Sequence, residues 1–324
     1  MVSLDSIYSP IRKDMGKIED LIKTALLDDT VREFREIHSL LANSPGKRLR
    51  PAIVALSAYA SIPKQRITAE LREKIHRTAA AFEIIHMATL VHDDVMDSSL
   101  LRHKKPTINA GYDDNIAICS GDFLFARALD LLSKANDSRI TSIAAKATKE
   151  VCEGQVLQVW RRHDFGMSMK DYDAIINRKT AALFGAACEA GGLCAGKKGR
   201  LSLFGIHFGR GFQMIDDYLD IISDEKTLGK RPGENLRAGE LTLPVMLLLQ
   251  AIPHSKRPPF AKKCMKDMGF LKKSLLEKQT GARVRVLVAK EMRSAEQSLD
   301  ALPKSPYLDS LHGLLDLSIS RLKG

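Results

Sequence analysis

Apolar residues recur at helical spacing along nearly the whole chain, and few stretches alternate as a half-buried strand would. From Leu4 to Leu41, the residues Ile11, Met15, Ile18, Leu21, Ile22, Ala25 and Leu26 fall near that spacing with Asp or Glu between them, which predicts an amphipathic helix. Asn43-Ser44-Pro45-Gly46 breaks it, and Pro51 suits the first turn of the next helix, whose apolar run is Ile53 to Ala60. Ile62 to Gln65 reads as a turn. Further helices are predicted over 68–90, 123–132, 140–160, 171–190, 201–220 and 243–249, followed by a helical layer over 260–302 and 308–322. Ser98 to Asn115 is polar, basic and turn-rich, and reads as a loop. The prediction is an all-α chain forming a single domain over 1–324, with an N-terminal helical region over 1–42 and a C-terminal layer over 253–324.

Two of these helices end in matched acidic clusters. His92-Asp93-Asp94-Val95-Met96-Asp97 closes one, and Asp216-Asp217-Tyr218-Leu219-Asp220 closes the other after Gly209 to Ile215. In each cluster the outer carboxylates are four residues apart, so they share a helix face and repel one another unless a cation lies between them. A single such cluster is most simply a solvated helix end. Two, each continuous with an apolar helix, resemble the facing walls of a metal site. The donors are all oxygen, which favours Mg2+ bridging carboxylates to phosphates over zinc. His92 is out of phase with Asp93 and reads equally as packing or as support for a ligand.

The formal charge is +11, with basic runs at Lys47-Arg48-Arg50, Arg102-His103-Lys104-Lys105, Arg178-Lys179 and Lys230-Arg231. None is interleaved with aromatic residues able to stack on bases, which argues against nucleic acid and for discrete oxyanions. Lys47 to Arg50 lies where a loop becomes a helix, and free amides there reinforce attraction for phosphate. The five cysteines have no paired short spacing, so a disulfide framework or zinc knuckle is not expected and a reducing compartment fits. Met1 to Pro10 does not read as a signal peptide, and no apolar run is long enough to span a bilayer. No Ser-His-Asp set is present. Metal ions and basic side chains suffice to stabilise a departing oxyanion; if the substrate is an allylic diphosphate, loss of diphosphate leaves a cation that an alkene held close by could attack.

From about Gly46 to Pro244 the chain resembles the trans-isoprenyl diphosphate synthases of the polyprenyl synthetase family. The resemblance is carried by Gly46 to Pro51, His92 to Asp97, Gly121-Asp122, Glu153-Gly154-Gln155, Lys179-Thr180, Gly211-Phe212-Gln213, Asp216 to Asp220, Gly229-Lys230 and Thr242-Leu243-Pro244, in the family's order. It implies an isoprenoid synthase fold, a helical bundle around a deep central cavity, usually as a homodimer. It also implies condensation of isopentenyl diphosphate with an allylic diphosphate, with two to three Mg2+ ions.

By the same resemblance, Asp93, Asp97 and Asp216 are the principal metal ligands, completed or oriented by Asp94, Asp217 and Asp220. Arg102, Lys179 and Lys230 grip the allylic diphosphate; Lys47, Arg50 and His86 hold the isopentenyl diphosphate, with Arg48 a weaker candidate. Gln213 lies beside the reacting chain, and Thr180 places the diphosphate or the proton acceptor. A cytoplasmic enzyme with at most peripheral membrane contact follows.

Departures leave alternatives open. His103 stands where the family usually has a second arginine, so isopentenyl diphosphate binding there is weaker, falls to Lys104, or depends on pH. Asn235 and Glu240 also depart from the common pattern. A weakly active or regulatory subunit therefore stays open, as does a shorter-chain farnesyl or geranylgeranyl diphosphate synthase. Ala88 and Thr89, five and four residues before Asp93, are small where short-chain synthases often carry an aromatic pocket floor. With one helical turn spanning about 5.4 Å, deeper walls at Ile85 and Phe82, opposed by Phe123, Phe125 or Leu129, would admit a product beyond twenty carbons.

Overall fold

A computed structural model describes residues 3–28, 31–44, 46–102, 105–197, 201–224 and 232–322. The chain begins with α1 (Leu4–Tyr8), α2 (Arg12–Leu27), α3 (Arg32–Ala42) and α4 (Leu49–Ala60). The single amphipathic helix expected over 4–41 is thus divided. Pro10 enters a 3-10 turn at Ser9–Ile11, and the predicted apolar positions are kept on α2, where Ile18, Ile22, Ala25 and Leu26 are buried.

α5 (Ala69–Met96) follows, opened by the Thr68 hydroxyl, which accepts from the Leu71 N–H at 3.1 Å. Its middle is buried on every side, from Ala79 through Phe82, Ile84, Ile85, Met87 and Ala88 to Val91. A helix apolar all round must lie inside a bundle, and α5 packs against α2, α4, α7 (Asp114–Lys134) and α10 (Ala182–Cys194). Between α5 and α7 come a two-residue antiparallel pair, β1 (Leu101–Arg102) with β2 (Lys105–Pro106), and α6 (Ile108–Gly111).

α8 (Ser138–Trp160) and α9 (Met169–Ile176) follow, and α9 runs through a π turn at Asn177–Ala181 into α10. α11 (Leu201–Ile222) packs on α10 and carries the second acidic cluster. α12 (Glu234–Arg237), α13 (Leu243–Gln250), α14 (Arg257–Lys266), α15 (Met268–Glu277), α16 (Thr280–Gln297) and α17 (Pro306–Ser320) complete the all-α architecture.

Two glycines fix how closely the site-bearing elements meet. A Cβ on Gly121 of α7 would stand 2.1 Å from the His92 ring, and one on Gly154 of α8 would stand 2.4 Å from the Lys179 backbone nitrogen. Nothing larger fits at either crossing.

Candidate active site

α5 delivers the first cluster. Asp94 is buried and chelated by Arg102, whose Nε and Nη2 donate to its carboxylate at 2.7 to 3.1 Å. Asp93 lies 3.8 Å from Lys179 Nζ. Burial raises its pKa; Lys179 and Arg102 oppose that shift, while Asp97 and Asp94 add to it. Asp97 caps the C-terminus of α5 and accepts from Arg162 Nη2. His92 is spent on packing: its Nε2 lies 3.1 Å from the Ile118 carbonyl, against Gly121.

α11 delivers the second cluster. Asp216 accepts from Arg321 Nη2 at 2.7 Å, and the same guanidinium lies 5.4 Å from the Phe212 ring centroid. Asp217 turns inward, accepting from Gln213 Nε2 at 2.8 Å, the Tyr172 hydroxyl at 2.8 Å and the Leu243 N–H at 3.1 Å. Burial raises its pKa to about 6 despite those donors. Asp220 is buried, and its backbone carbonyl accepts from the Gly233 N–H at 2.8 Å. Asp94 is thus held by a bidentate arginine, and Asp217 by three donors that make it the anchor of Gln213.

The π turn displays Lys179 and Thr180. Such turns widen a helix by one residue and recur at functional sites. Thr180 Oγ1 donates to Gln213 Oε1 at 2.7 Å, so the Gln213 amide is oriented from both ends. One cleft is lined by Asp97, Lys179, Thr180, Gln213, Asp217 and Glu240. Residues of both acidic motifs thus face the same space.

The early basic motif divides by role. Arg48 spans Glu19 at 2.9 Å and Glu83 at 3.1 Å, a structural clamp. Arg50 is half-buried, lies 4.4 Å from the Phe184 ring centroid, and has a buried Nε without a hydrogen-bond partner among the described residues. Desolvation pushes its pKa down to about 10. Lys47, exposed at the surface, shares the neighbourhood of Asp216 and Arg321; partial desolvation and then Arg321 lower its pKa, opposed by Asp216. Burial, followed by the charges of Arg50, Arg102 and Arg48, holds His86 neutral. His103, Lys104, Gly229 and Lys230 lie outside the described residues.

Among the described residues no three carboxylate, histidine or cysteine side chains converge on one metal position. Four of the cluster carboxylates face a cation instead: Asp93 faces Lys179, Asp94 faces Arg102, Asp97 faces Arg162 and Asp216 faces Arg321. The donor set is all oxygen and suits a hard divalent ion, and Asp93, whose pKa is raised first by burial and further by the Asp97 and Asp94 carboxylates, is a group whose charged form such an ion would stabilise.

A family model described as polyprenyl synthetase matches residues 31–271. The chain belongs to the polyprenyl synthetase family. It is similar to an all-trans-nonaprenyl-diphosphate synthase (geranyl-diphosphate specific) of Rhodobacter capsulatus, 32% identical over 335 residues, covering 98% of each chain. It also resembles heptaprenyl diphosphate synthase component 2 of Geobacillus stearothermophilus, 36% identical over 252 residues and 76% of each chain. A solved polyprenyl synthase of Caulobacter crescentus, complexed with calcium and isoprenyl diphosphate, superposes with a TM-score of 0.87 at 30% identity and 98% coverage of both chains. The isoprenoid synthase fold expected from the sequence is the fold observed.

For this polyprenyl synthetase, Arg162, Tyr172 and Arg321 were not foreseen as site residues, and Glu240 was noticed only as a departure. Each meets its acidic or polar partner across more than forty residues of chain, where spacing carries no signal. Leu129, offered above as a pocket wall, is instead exposed on α7, and Phe123 stacks on Phe34 with ring centroids 5.0 Å apart.

Proposed function

We propose that this polyprenyl synthetase condenses isopentenyl diphosphate with an allylic diphosphate to give a trans-polyprenyl diphosphate longer than twenty carbons. The allylic carbon–oxygen bond breaks and diphosphate leaves with its electron pair. The isopentenyl alkene then forms the new carbon–carbon bond, and a proton is lost. The observation that carries this reading is the cleft in which one carboxylate of each acidic motif, Asp97 and Asp217, lines the same space as Lys179, Thr180 and Gln213.

Asp93, Asp97 and Asp216 would hold Mg2+, with Asp220 in support, and the ions would neutralise charge on the departing diphosphate. Arg102, Lys179 and Lys230 would take the allylic diphosphate. Lys47, Arg50 and neutral His86 would take isopentenyl diphosphate, a role supported by the Arg50 Nε, buried and without a hydrogen-bond partner among the described residues. Gln213, aimed by Thr180 and Asp217, would face the reacting chain.

A homodimer is part of this reading. Cys152, Val156, Val159 and Trp160 form an exposed stripe along α8, and Ile118 and Leu129 lie on an exposed face of α7; a second copy would cover them. No described helix is long and apolar enough to cross a membrane. We place the enzyme in the cytoplasm, with peripheral membrane contact through its product. A second reading, one component of a two-part synthase, is favoured by the relative named as component 2.

Turnover of Asp93→Ala and Asp216→Ala tests the assignment. Each variant is expected to lose more than about a hundredfold in kcat with its melting temperature nearly unchanged. Unchanged turnover in either removes that residue from the reaction centre.

A further inference from the structure

Arg162 is held from two sides. Its Nη2 donates to Asp97, while the same nitrogen and Nε reach Glu240 Oε1 at 2.7 and 3.1 Å. Glu240 is buried, accepts from Gln158 Nε2 through its other oxygen, and donates its N–H to the Asn235 carbonyl at 2.9 Å. The backbone around this pair is also fixed. The His163 N–H donates to the Gly239 carbonyl at 2.8 Å, and Gly239 has φ +88° with the His163 ring where a Cβ would stand. The turn after α8 is therefore seated on the segment before α13.

The two ends of this bridge differ in freedom. Glu240 is enclosed and fully engaged, whereas Asp97 caps a helix and is about one-third exposed. If Asp97 turns away, Arg162 keeps its partner, so the partly buried guanidinium is not left uncompensated. A divalent ion approaching Asp97 meets a guanidinium already on that carboxylate.

We propose that Arg162, anchored by Glu240, is a displaceable counter-cation for Asp97, a positioning residue that sets how tightly the substrate-free site takes its metal. The inference rests on the metal role of Asp97 proposed above. Only the fraction of molecules with Asp97 released binds without competition, so the apparent affinity is reduced by that fraction. Glu240 then has a function: it keeps Arg162 beside the site when the metal arrives.

The test is titration of Mn2+ into the purified full chain without substrate, with free ion read by electron paramagnetic resonance. Arg162→Met is expected to tighten Mn2+ binding by about three- to tenfold, and Arg162→Lys to stay near the wild type. Arg161→Met is the control for charge acting at a distance. Arg161 lines the same cleft but is held by Asp164 at 2.8 Å and Asp171 at 3.0 Å, so its loss should change binding less than about twofold.

Equal tightening in Arg162→Met and Arg161→Met would overturn the proposal in favour of bulk charge, and no change in Arg162→Met would overturn it outright. A wild-type chain that takes no Mn2+ without diphosphate also overturns it. The metal role of Asp97 is judged separately, by turnover of Asp97→Ala.

Discussion

Arg48 Nη1 lies 3.1 Å from Glu83 Oε1, where the N-terminus of α4 meets α5, while no carboxylate among the described residues pairs with Arg50, two residues on. The same Arg48 guanidinium also reaches Glu19 on α2, so one arginine of the motif knits three helices together, while the other is the one proposed above to bind isopentenyl diphosphate. Losing Arg48 would strand the buried Glu83 carboxylate, at a cost of about 3 kcal/mol. Arg48→Met is therefore expected to lower the melting temperature by several degrees with the isopentenyl diphosphate KM nearly unchanged. Arg50→Met should do the reverse, raising that KM more than about tenfold with little loss of stability. Paired thermal melts and steady-state kinetics check this; an equal KM increase in both variants would contradict the division.

Asp217 gives a stability signature in pH. Its pKa is raised from 3.8 to about 6 by burial, so the folded protein holds this proton more tightly than the unfolded chain. The stability that Asp217 contributes is complete below about pH 4 and is lost as pH rises through about 6. Relative to Asp217→Asn in a metal-free buffer, the wild type should lose about 3 kcal/mol between those limits. Parallel melting curves across pH 4 to 7 would show that Asp217 is not the buried, proton-retaining group described.

Product length tests the interior of α5. Ala88 is fully buried one turn before Asp93, and Ala88→Phe is expected to shorten the product by at least one five-carbon unit. Chain-length analysis of the variant's products decides it. An unchanged product from a less stable variant would place Ala88 in ordinary core, where overpacking costs about 1 to 3 kcal/mol.

Much of the fold was legible because helical periodicity records burial directly. The helix expected to lead into the first cluster is α5, extended to Met96, and that expected over 201–220 is α11. What escaped was local: Pro10 and its 3-10 turn divided the first helix, and the π turn at Asn177–Ala181 kept the apolar pattern of a continuous helix. Lys179, Thr180, Gln213 and the two acidic clusters could be picked out as candidates because each sits in a compact motif. Their engagements were not. That Asp217 would anchor Gln213 through Tyr172 and Leu243, or that Arg162 and Arg321 would reach Asp97 and Asp216, depends on chain crossings that spacing does not encode.

The central claim is elongation, and mass analysis of products tests it most directly. The purified chain is incubated with Mg2+, isopentenyl diphosphate and, separately, geranyl, farnesyl or geranylgeranyl diphosphate. A polyprenyl diphosphate beyond twenty carbons is the predicted result, lost in Asp93→Ala and Asp216→Ala. No consumption of isopentenyl diphosphate with any primer would contradict it and leave the chain as a component that needs a second subunit.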